Sequence, residues 1–120
     1  ITYGSTVHFA LEAAEQLSQR EGIEATILDL RSLAPYDKDL VRHVVQRTGK
    51  ALVVHEDNVT GGVGAEIAAW IAEEMFTSLD APVRRIGAAD VPVPFAPPLE
   101  EAVLPNAAGI QAAMLDLARY

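Results

Sequence analysis

The sequence lacks several residue patterns, and each absence excludes a class of protein. None of the 120 residues is cysteine, which excludes disulfide frameworks, thiolate metal sites and a cysteine nucleophile. No apolar run approaches the ~20 residues that a membrane-spanning helix needs, and no signal peptide is recognisable. We therefore expect no membrane partner and an intracellular location, cytoplasmic if the source is bacterial.

Basic residues are also scarce. Lysine and arginine together number 9 against 17 acidic residues, a formal net charge of −8. A nucleic-acid-binding protein needs a clustered basic face, so we expect no nucleic-acid partner. An acidic surface is compatible with a basic protein partner.

The bulk composition is that of one folded domain covering residues 1–120. Half of the residues are hydrophobic, and this length can bury a sizeable core. The chain opens Ile-Thr-Tyr-Gly without an initiator methionine, which we interpret as a fragment of a longer polypeptide.

Short β-branched runs alternate with segments of helical period, a pattern typical of a sheet covered by helices. The predicted strands are residues 1–3, 23–30, 51–55 and 83–86. Helices are predicted from Ser5 or Thr6, after Asp37, over residues 64–77 and after Asn106, with Gly22 and Gly49 closing the first two. Residues 90–98 are proline-rich and predicted to be irregular. Right-handed crossovers then give a three-layer α/β/α domain with a mostly parallel sheet of about five strands.

The segment that follows the third predicted strand is the first candidate site. It comprises His55, Glu56, Asp57 and Asn58 and then Gly61, Gly62 and Gly64. Ligands of parallel sheets bind beyond the carboxyl ends of the strands, and free amides at a helix start can receive an anion. The glycines match neither the phosphate-loop nor the dinucleotide pattern, and a tight turn can need glycine for backbone shape alone. We interpret this segment as a loop near the active site of an intact enzyme, insufficient as a site by itself.

Trp70 is a candidate subunit contact. It is predicted to project away from the core face of its helix, among Ala65, Ala69 and Ala72. Tryptophan is enriched at the centres of interfaces. The alternative is that Trp70 covers a loop of its own domain.

A series of short motifs across nearly the whole chain resembles one family. The motifs are Tyr3-Gly4 with Val7-His8, Leu28-Asp29-Leu30-Arg31, Pro35 with Asp37, Arg47-Thr48-Gly49, His55-Glu56 with Gly61-Gly62, Ala65-Glu66-Ile67, Leu79-Asp80-Ala81-Pro82 with Arg85, Pro92 with Pro94 and Phe95, and Leu104-Pro105-Asn106. Their order and spacing resemble the carboxy-terminal domain of transketolase-like thiamine enzymes. The closest likeness is to the beta subunits of 2-oxo acid dehydrogenase E1 components, of pyruvate or branched-chain type.

The resemblance implies a non-catalytic domain that supports subunit association and docking to the E2 acyltransferase. The intact enzyme would decarboxylate a 2-oxo acid with thiamine diphosphate and Mg²⁺ and acylate the lipoyl arm of E2. The cofactor would lie in other domains, so this fragment is expected to bind no cofactor and to be inactive alone. The implied partners are an E1 alpha subunit or domain, a second beta copy and the subunit-binding domain of E2.

Two residues are implied by the resemblance to dock E2. They are Asp80, in the Leu-Asp-Ala-Pro motif, and the carboxylate of Tyr120 if the chain ends there. Carboxylates pair well with the arginines of a basic partner domain. The alternative for Asp80 is a turn-capping residue before Pro82.

Two other functions stay open at the level of sequence. One is the carboxy-terminal domain of a transketolase or a deoxyxylulose-phosphate synthase, which shares the glycine-rich turn. The other is a stand-alone binding module of flavodoxin type, for which the glycine turn is the sole support.

Overall fold

A computed structural model describes all 120 residues. The chain forms five helices and two strands: α1 (Thr6–Glu21), α2 (Lys38–Thr48), β1 (Leu52–Asn58), α3 (Val63–Glu74), β2 (Arg84–Ala88), α4 (Pro97–Val103) and α5 (Ala107–Ala118). A single 3₁₀ turn, Phe76–Ser78, follows α3.

Local capping chemistry sets four of the helix ends. The side chain of Asp37 accepts a hydrogen bond from the Leu40 amide at 2.9 Å, and that of Asn106 accepts one from the Gly109 amide at 2.9 Å. Gly22 and Gly49 take left-handed conformations, with φ of 66° and 69°, at the ends of α1 and α2. These predictions are confirmed because each depends on residues within one turn of the helix end.

The sheet is parallel but less continuous than predicted. β1 pairs with β2, Leu52 lying opposite Arg84 and Val54 opposite Ile86. On its other side Val54 forms a single bridge with Thr2, and Thr2 forms another with Asp29. Four segments therefore lie side by side, yet two of them pair at one residue each. The prediction of about five strands was wrong in number, because strand pairing depends on distant partners that the local pattern does not specify.

Two helical layers enclose the sheet and confirm the α/β/α architecture. Alternate residues of β1 point to opposite faces. Ala51 and Val53 pack in one apolar cluster with α2 and α3 residues such as Val45 and Ile67. Leu52 and Val54 pack in a second cluster with residues of α1 and α5, including Ala13, Ile110 and Leu117. β1 is therefore buried on both faces.

Helix α4 lies partly in the segment that was predicted to be irregular. It starts at Pro97, within residues 90–98. Proline is well suited to the first turn of a helix, where its missing N–H would have no partner. The third predicted helix ends earlier than residue 77, because α3 stops at Glu74 and the chain tightens into the 3₁₀ turn.

None of the five helices is long and apolar enough to cross a membrane.

We expect truncation of one buried isoleucine in each layer to be costly. Ile67 on α3 and Ile110 on α5 are both fully buried. Ile67→Ala and Ile110→Ala should each lower the free energy of unfolding by about 2–5 kcal/mol, because each leaves a cavity. Leu99→Ala, at an exposed position, is the control and should change it by less than about 0.5 kcal/mol. Urea titration measures all three, and an Ile110→Ala variant as stable as the control would mean that α5 is not docked on the sheet.

Candidate functional site

The last residues of β1 and the turn that leads to α3, hereafter together the β1–α3 loop (residues 55–62), stand at the carboxyl edge of the sheet. Three hydrogen bonds donated by side chains tie it to β2 and the residues that follow. Asn58 Nδ2 donates to the Ala89 carbonyl at 2.7 Å, and Thr60 Oγ1 donates to Asp90 Oδ2 at 2.6 Å. Arg85 Nη1 donates to the Val59 carbonyl at 2.8 Å. The loop is therefore held by the neighbouring strand end.

His55 lies inside the protein rather than on the loop surface. Its side chain is 0% exposed, and its ring stacks on that of Tyr3 at 6.1 Å between centroids and 10° between planes. Neither ring nitrogen has a hydrogen-bond partner. A ligand on the surface of the loop cannot reach this imidazole without a rearrangement.

Three glycines make room for the His55 ring. A Cβ at Gly64 would collide with Nε2, and Cβ atoms at Gly62 and Gly87 would lie 2.8 and 3.0 Å from Cε1. Since real Cβ atoms essentially never approach other heavy atoms within 3.0 Å, Gly62 and Gly64 are needed for this close packing. The close approach of the His55 ring is thus a sufficient reason for two of the glycines that drew attention in the sequence.

Burial controls the protonation of the imidazole. Burial lowers the pKa of His55, and the nearby Asp57 carboxylate opposes this with a smaller effect. His55 is therefore a neutral side chain at neutral pH. Burial raises the pKa of Tyr3, and the carboxylates of Asp57 and Glu56 raise it further. Glu56 also accepts a hydrogen bond from the Ser5 hydroxyl.

A shallow polar pocket of about 530 Å³ lies beside the loop. Its lining residues are Asp57, Asn58, Thr60, Gly61, Asp90, Val91 and Pro92. Two hydrogen bonds from Thr60 lower the pKa of Asp90, which keeps this side chain a carboxylate. The lining of the pocket contains carboxylates and no basic side chain. An anionic phosphate is repelled by such a lining, and the phosphate-cradle interpretation has no support in it.

The same lining bears on the cofactor that the family resemblance implies. A diphosphate group needs cationic side chains or a bound metal ion for charge balance. The pocket supplies neither, and no group of three or more His, Asp or Glu side chains is placed to hold a metal ion. The residues that line this pocket do not fit thiamine diphosphate with Mg²⁺.

The residues implied in docking lie at the opposite edge of the sheet. Asp80 is exposed, its peptide N–H donates to the Gly49 carbonyl at 2.7 Å, and its carboxylate lies over Gly49. None of the three ion pairs of the chain includes Asp80. Tyr120 is 67% exposed.

Two contacts bring Asp80 and Tyr120 to the same region. Ala81, next to Asp80, packs in one apolar cluster with Leu117, three residues before Tyr120. Lys50 follows Gly49 in the chain, and its Nζ donates to the Ala118 carbonyl at 2.8 Å. The Asp80 segment and the end of α5 therefore form one surface at the amino end of β1, hereafter the amino-edge surface (Asp80, Lys50 and residues 118–120).

Trp70 packs within its own domain but keeps an accessible part. It is half-buried, and its ring meets that of Tyr36 edge to face at 6.1 Å. Lys38 Nζ and the Arg42 guanidinium lie 5.3 and 5.4 Å from the centroid of the indole ring. These contacts correspond to the alternative in which Trp70 covers a loop of its own domain. A subunit contact through its accessible part stays a prediction.

Sequence reasoning missed several residues of the carboxyl edge. Tyr3, Gly87 and Asp90 were not selected, although all three contact the candidate loop. One signal was available for Asp90, because it follows the strand next to β1 and the carboxyl ends of parallel strands meet at one edge. Nothing in the sequence indicated that Gly87 faces His55.

We expect the packing of Gly64 against His55 to appear in a double-mutant cycle. Gly64→Ala should lower the free energy of unfolding by more than about 1 kcal/mol, since the added methyl group has no space beside the buried ring. In a His55→Ala background the same change should be neutral or stabilising by up to about 1 kcal/mol, since alanine is the better helix former. Equal costs in the two backgrounds would contradict the contact.

The buried imidazole also predicts a pH dependence of stability. The unfolded chain binds a proton at His55 near the ordinary pKa of 6.5, whereas the folded chain does so at lower pH. Stability should therefore fall as pH drops below about 6.5, with a slope of at most about 1.4 kcal/mol per pH unit. His55→Leu should remove this part of the slope, and His43→Gln, at an exposed position of α2, is the control. Urea titrations between pH 5 and 8, about one to two units either side of the ordinary histidine pKa, measure the pH dependence of the free energy of unfolding. An unchanged slope in His55→Leu would refute its attribution to His55.

Comparison with known proteins places this geometry in a family. The protein family described as "Transketolase, C-terminal domain" matches this chain over residues 1–110. A 2-oxoisovalerate dehydrogenase subunit beta of Bacillus subtilis is 43% identical over 100% of this chain and 37% of its own length. An acetoin:2,6-dichlorophenolindophenol oxidoreductase subunit beta of the same species is 44% identical over 95% of this chain and 33% of its own.

Further relatives agree with these two. A mitochondrial pyruvate dehydrogenase E1 component subunit beta-1 of Arabidopsis thaliana is 45% identical over 88% of this chain and 29% of its own length. A solved structure described as a split gene transketolase, inactive beta4 tetramer, superposes with a TM-score of 0.81 at 32% identity and covers 98% of this chain and 37% of its own. The chain spans about a third of the length of these proteins. It belongs to the transketolase carboxy-terminal domain family.

Proposed function

We propose that this chain is the carboxy-terminal domain of the beta subunit of a 2-oxo acid dehydrogenase E1 component. In this role it performs no chemistry. It supports subunit association and presents the amino-edge surface to the basic subunit-binding domain of the E2 acyltransferase. The intact enzyme would decarboxylate a 2-oxo acid with thiamine diphosphate and Mg²⁺ held by other domains, and would pass the acyl group to lipoyl-E2.

The names of the similar proteins are the main support for the enzyme class. Each of three relatives that are 43–45% identical is named as the beta subunit of an oxidoreductase or dehydrogenase. Their substrates differ, since the names specify a 2-oxoisovalerate dehydrogenase, an acetoin oxidoreductase and a pyruvate dehydrogenase. Transketolase is the coarser alternative, favoured by the similar solved structure at 32% identity.

The observation that carries the docking role is the free carboxylate of Asp80. An exposed carboxylate without an ion-pair partner keeps its full capacity to accept two hydrogen bonds from an arginine of another protein. The carboxylate of Tyr120, if the chain ends there, would add a second negative charge on the same surface. The net charge of −8 favours association with a basic partner.

Subunit association would use different surfaces. The accessible part of Trp70 is one candidate contact, with an E1 alpha subunit or with a second beta copy as the partner. Aromatic side chains that are already held by neighbours lose little conformational freedom on binding. Tyr36, Lys38 and Arg42 hold Trp70 in this way.

A charge reversal at Asp80 tests the docking role. In the full-length subunit, assembled with its partner chain, Asp80→Arg should weaken binding of the E2 subunit-binding domain at least about 30-fold, because loss of a charged pair costs about 2–5 kcal/mol. Isothermal calorimetry at two salt concentrations measures the change and should show salt-sensitive binding for the unaltered protein.

The matched control is Glu101→Arg. It changes the charge by the same amount at an exposed position of α4, a helix whose Val103 carbonyl accepts a hydrogen bond from Ala89 beyond the carboxyl end of β2. Its affinity for E2 should stay within about twofold of the unaltered protein. Equal losses in the two variants would indicate that net charge alone drives binding, and no loss in Asp80→Arg would remove Asp80 from the docking site.

A further inference from the structure

Four separate parts of the chain enclose the ring of His55. Tyr3 stacks on one face of it, at 6.1 Å between centroids. The β1–α3 loop, the first turn of α3 and the strand β2 each place a glycine against the ring, namely Gly62, Gly64 and Gly87. The enclosure excludes solvent, since the exposed fraction of His55 is 0%. The imidazole can therefore reach water only if at least one of these parts moves away.

The enclosure suits a neutral imidazole and not a protonated one. Neither Nδ1 nor Nε2 of His55 has a hydrogen-bond partner, whereas an imidazolium donates from both nitrogens. A buried donor without an acceptor is costly, and more so when it is charged. Nε2 also lies against Gly64, at the second position of α3. The free amides of a first helical turn carry partial positive charge, which disfavours a cation there.

The charged groups around the ring do not compensate for its burial. Asp57 on β1 favours the protonated form and Arg85 on β2 opposes it, while burial has the largest effect and lowers the pKa of His55. Glu56, also on β1, acts on the neighbouring Tyr3, and together with burial and Asp57 it raises the pKa of that phenol. Tyr3 therefore stays neutral, and α3 contributes only glycine to the enclosure. The surroundings as a whole oppose protonation.

The ladder between β1 and β2 is interrupted beside this ring. Its regular register runs from Leu52 opposite Arg84 to Val54 opposite Ile86, and the next pair is Asn58 with Ala88. Residues 55–57 of β1 therefore have no partner in the register of β2, and the irregularity has the character of a bulge. The segment that begins at His55 can move without breaking the regular part of the ladder.

Beyond the bulge, the bonds that hold the β1–α3 loop closed are few and exposed. They are the three side-chain bonds of Asn58, Thr60 and Arg85 and one backbone bond, from the Val59 amide to the Ala88 carbonyl at 3.2 Å. Exposed hydrogen bonds compete with water, so each contributes little net stability. The two apolar clusters on β1 take in its residues up to Val54 but none of residues 55–62. Opening of the loop should therefore need only part of the free energy of unfolding.

We propose that the β1–α3 loop is a pH-operated latch, which stays closed while His55 is neutral and opens as a unit, separately from unfolding of the domain, when the imidazole is protonated. In the open form His55 lies in water, and Asp57 and Thr60 have left Asp90, so the acidic pocket at the carboxyl edge is dismantled. This inference is independent of the proposed function.

The direction of the pH effect follows from the two forms of the loop. The imidazole of the open form titrates near the ordinary pKa of 6.5, whereas that of the closed form titrates at lower pH. The open form therefore binds the proton more readily, and the closed form loses stability relative to it as the pH falls below about 6.5.

Native-state hydrogen exchange of the full-length protein tests the latch, with single-residue resolution from fragmentation mass spectrometry. The reporter is the Val59 amide, and the reference is the Gly49 amide, which donates to the Val45 carbonyl at the end of α2. Each rate is expressed as protection relative to the unfolded chain at the same pH. Val59 should be at least about 100-fold less protected than Gly49. Its protection should fall about 5- to 30-fold between about pH 7.5 and about pH 5, as expected for an imidazole of ordinary pKa in the open form.

Two variants and a control assign the effect to His55. His55→Leu removes the titrating group, so the protection of Val59 should change less than about twofold over the same pH range. Asp57→Asn, at an exposed position, removes the carboxylate that favours the protonated ring in the closed form. The fall in protection should therefore be larger than in the unaltered protein. His8→Gln, at an exposed position of α1, is the control and should behave like the unaltered protein.

Three outcomes would overturn the proposal. Equal protection of Val59 and Gly49 would show that the loop opens only when the whole domain unfolds. Protection of Val59 that does not change with pH in the unaltered protein would show that no titrating group controls the loop. A fall in protection that persists in His55→Leu would assign the control to another group. If His55→Leu does not fold, Asp57→Asn decides, and a fall no larger than in the unaltered protein overturns the role of His55.

Discussion

The burial of β1 on both faces is the constraint on which the rest of the domain depends. Ala51 and Val53 face one helical layer and Leu52 and Val54 face the other. A strand that is covered on both faces keeps its side chains from solvent where the helices lie over it, and the exposed residues of β1, Glu56 and Asp57, stand at its carboxyl end. Access to other molecules is therefore confined to its two ends, and these ends differ in chemistry.

The carboxyl end is occupied by the protein itself. His55 continues the buried run of β1, and glycines surround it where side chains would collide. The β1–α3 loop is fastened to β2 by hydrogen bonds, and the adjacent pocket is lined by carboxylates without a basic residue. A histidine followed by acids and glycines has the composition of a catalytic loop. Here His55 is packed inside the protein, and a position of the loop near the active site of an intact enzyme stays a prediction. The amino end, by contrast, presents the unpaired carboxylate of Asp80 beside the end of α5.

Local features were predictable from the sequence and non-local ones were not. The caps at Asp37 and Asn106 and the left-handed glycines Gly22 and Gly49 depend on neighbours within a few residues, so the pattern specifies them. The helical start at Pro97 was missed because proline was given the role of a helix breaker, whereas in the first turn it favours a helix. The strands at residues 1–3 and 23–30 were predicted from β-branched content, but pairing requires a partner on each side.

In the candidate site, too, local features were predictable from the sequence and non-local ones were not. The sequence located the β1–α3 loop correctly, yet its interior character depends on Tyr3 and Gly87, which lie about 50 and 30 residues away along the chain and show no pattern that links them to His55. Asp80 and Tyr120 were selected through family resemblance. Their proximity depends on the apolar cluster that includes both Ala81 and Leu117, which no single motif encodes.

We propose above all that the domain binds the E2 subunit-binding domain at the amino end of β1 and not at the carboxyl end. Hydroxyl-radical footprinting of the assembled full-length enzyme, with and without the E2 subunit-binding domain, tests it most directly. The account predicts that E2 protects Leu79, Pro82 and Tyr120 from oxidation and leaves Val59 and Val91, beside the acidic pocket, unchanged. Protection of Val59 and Val91 without protection of Leu79 and Tyr120 would contradict it.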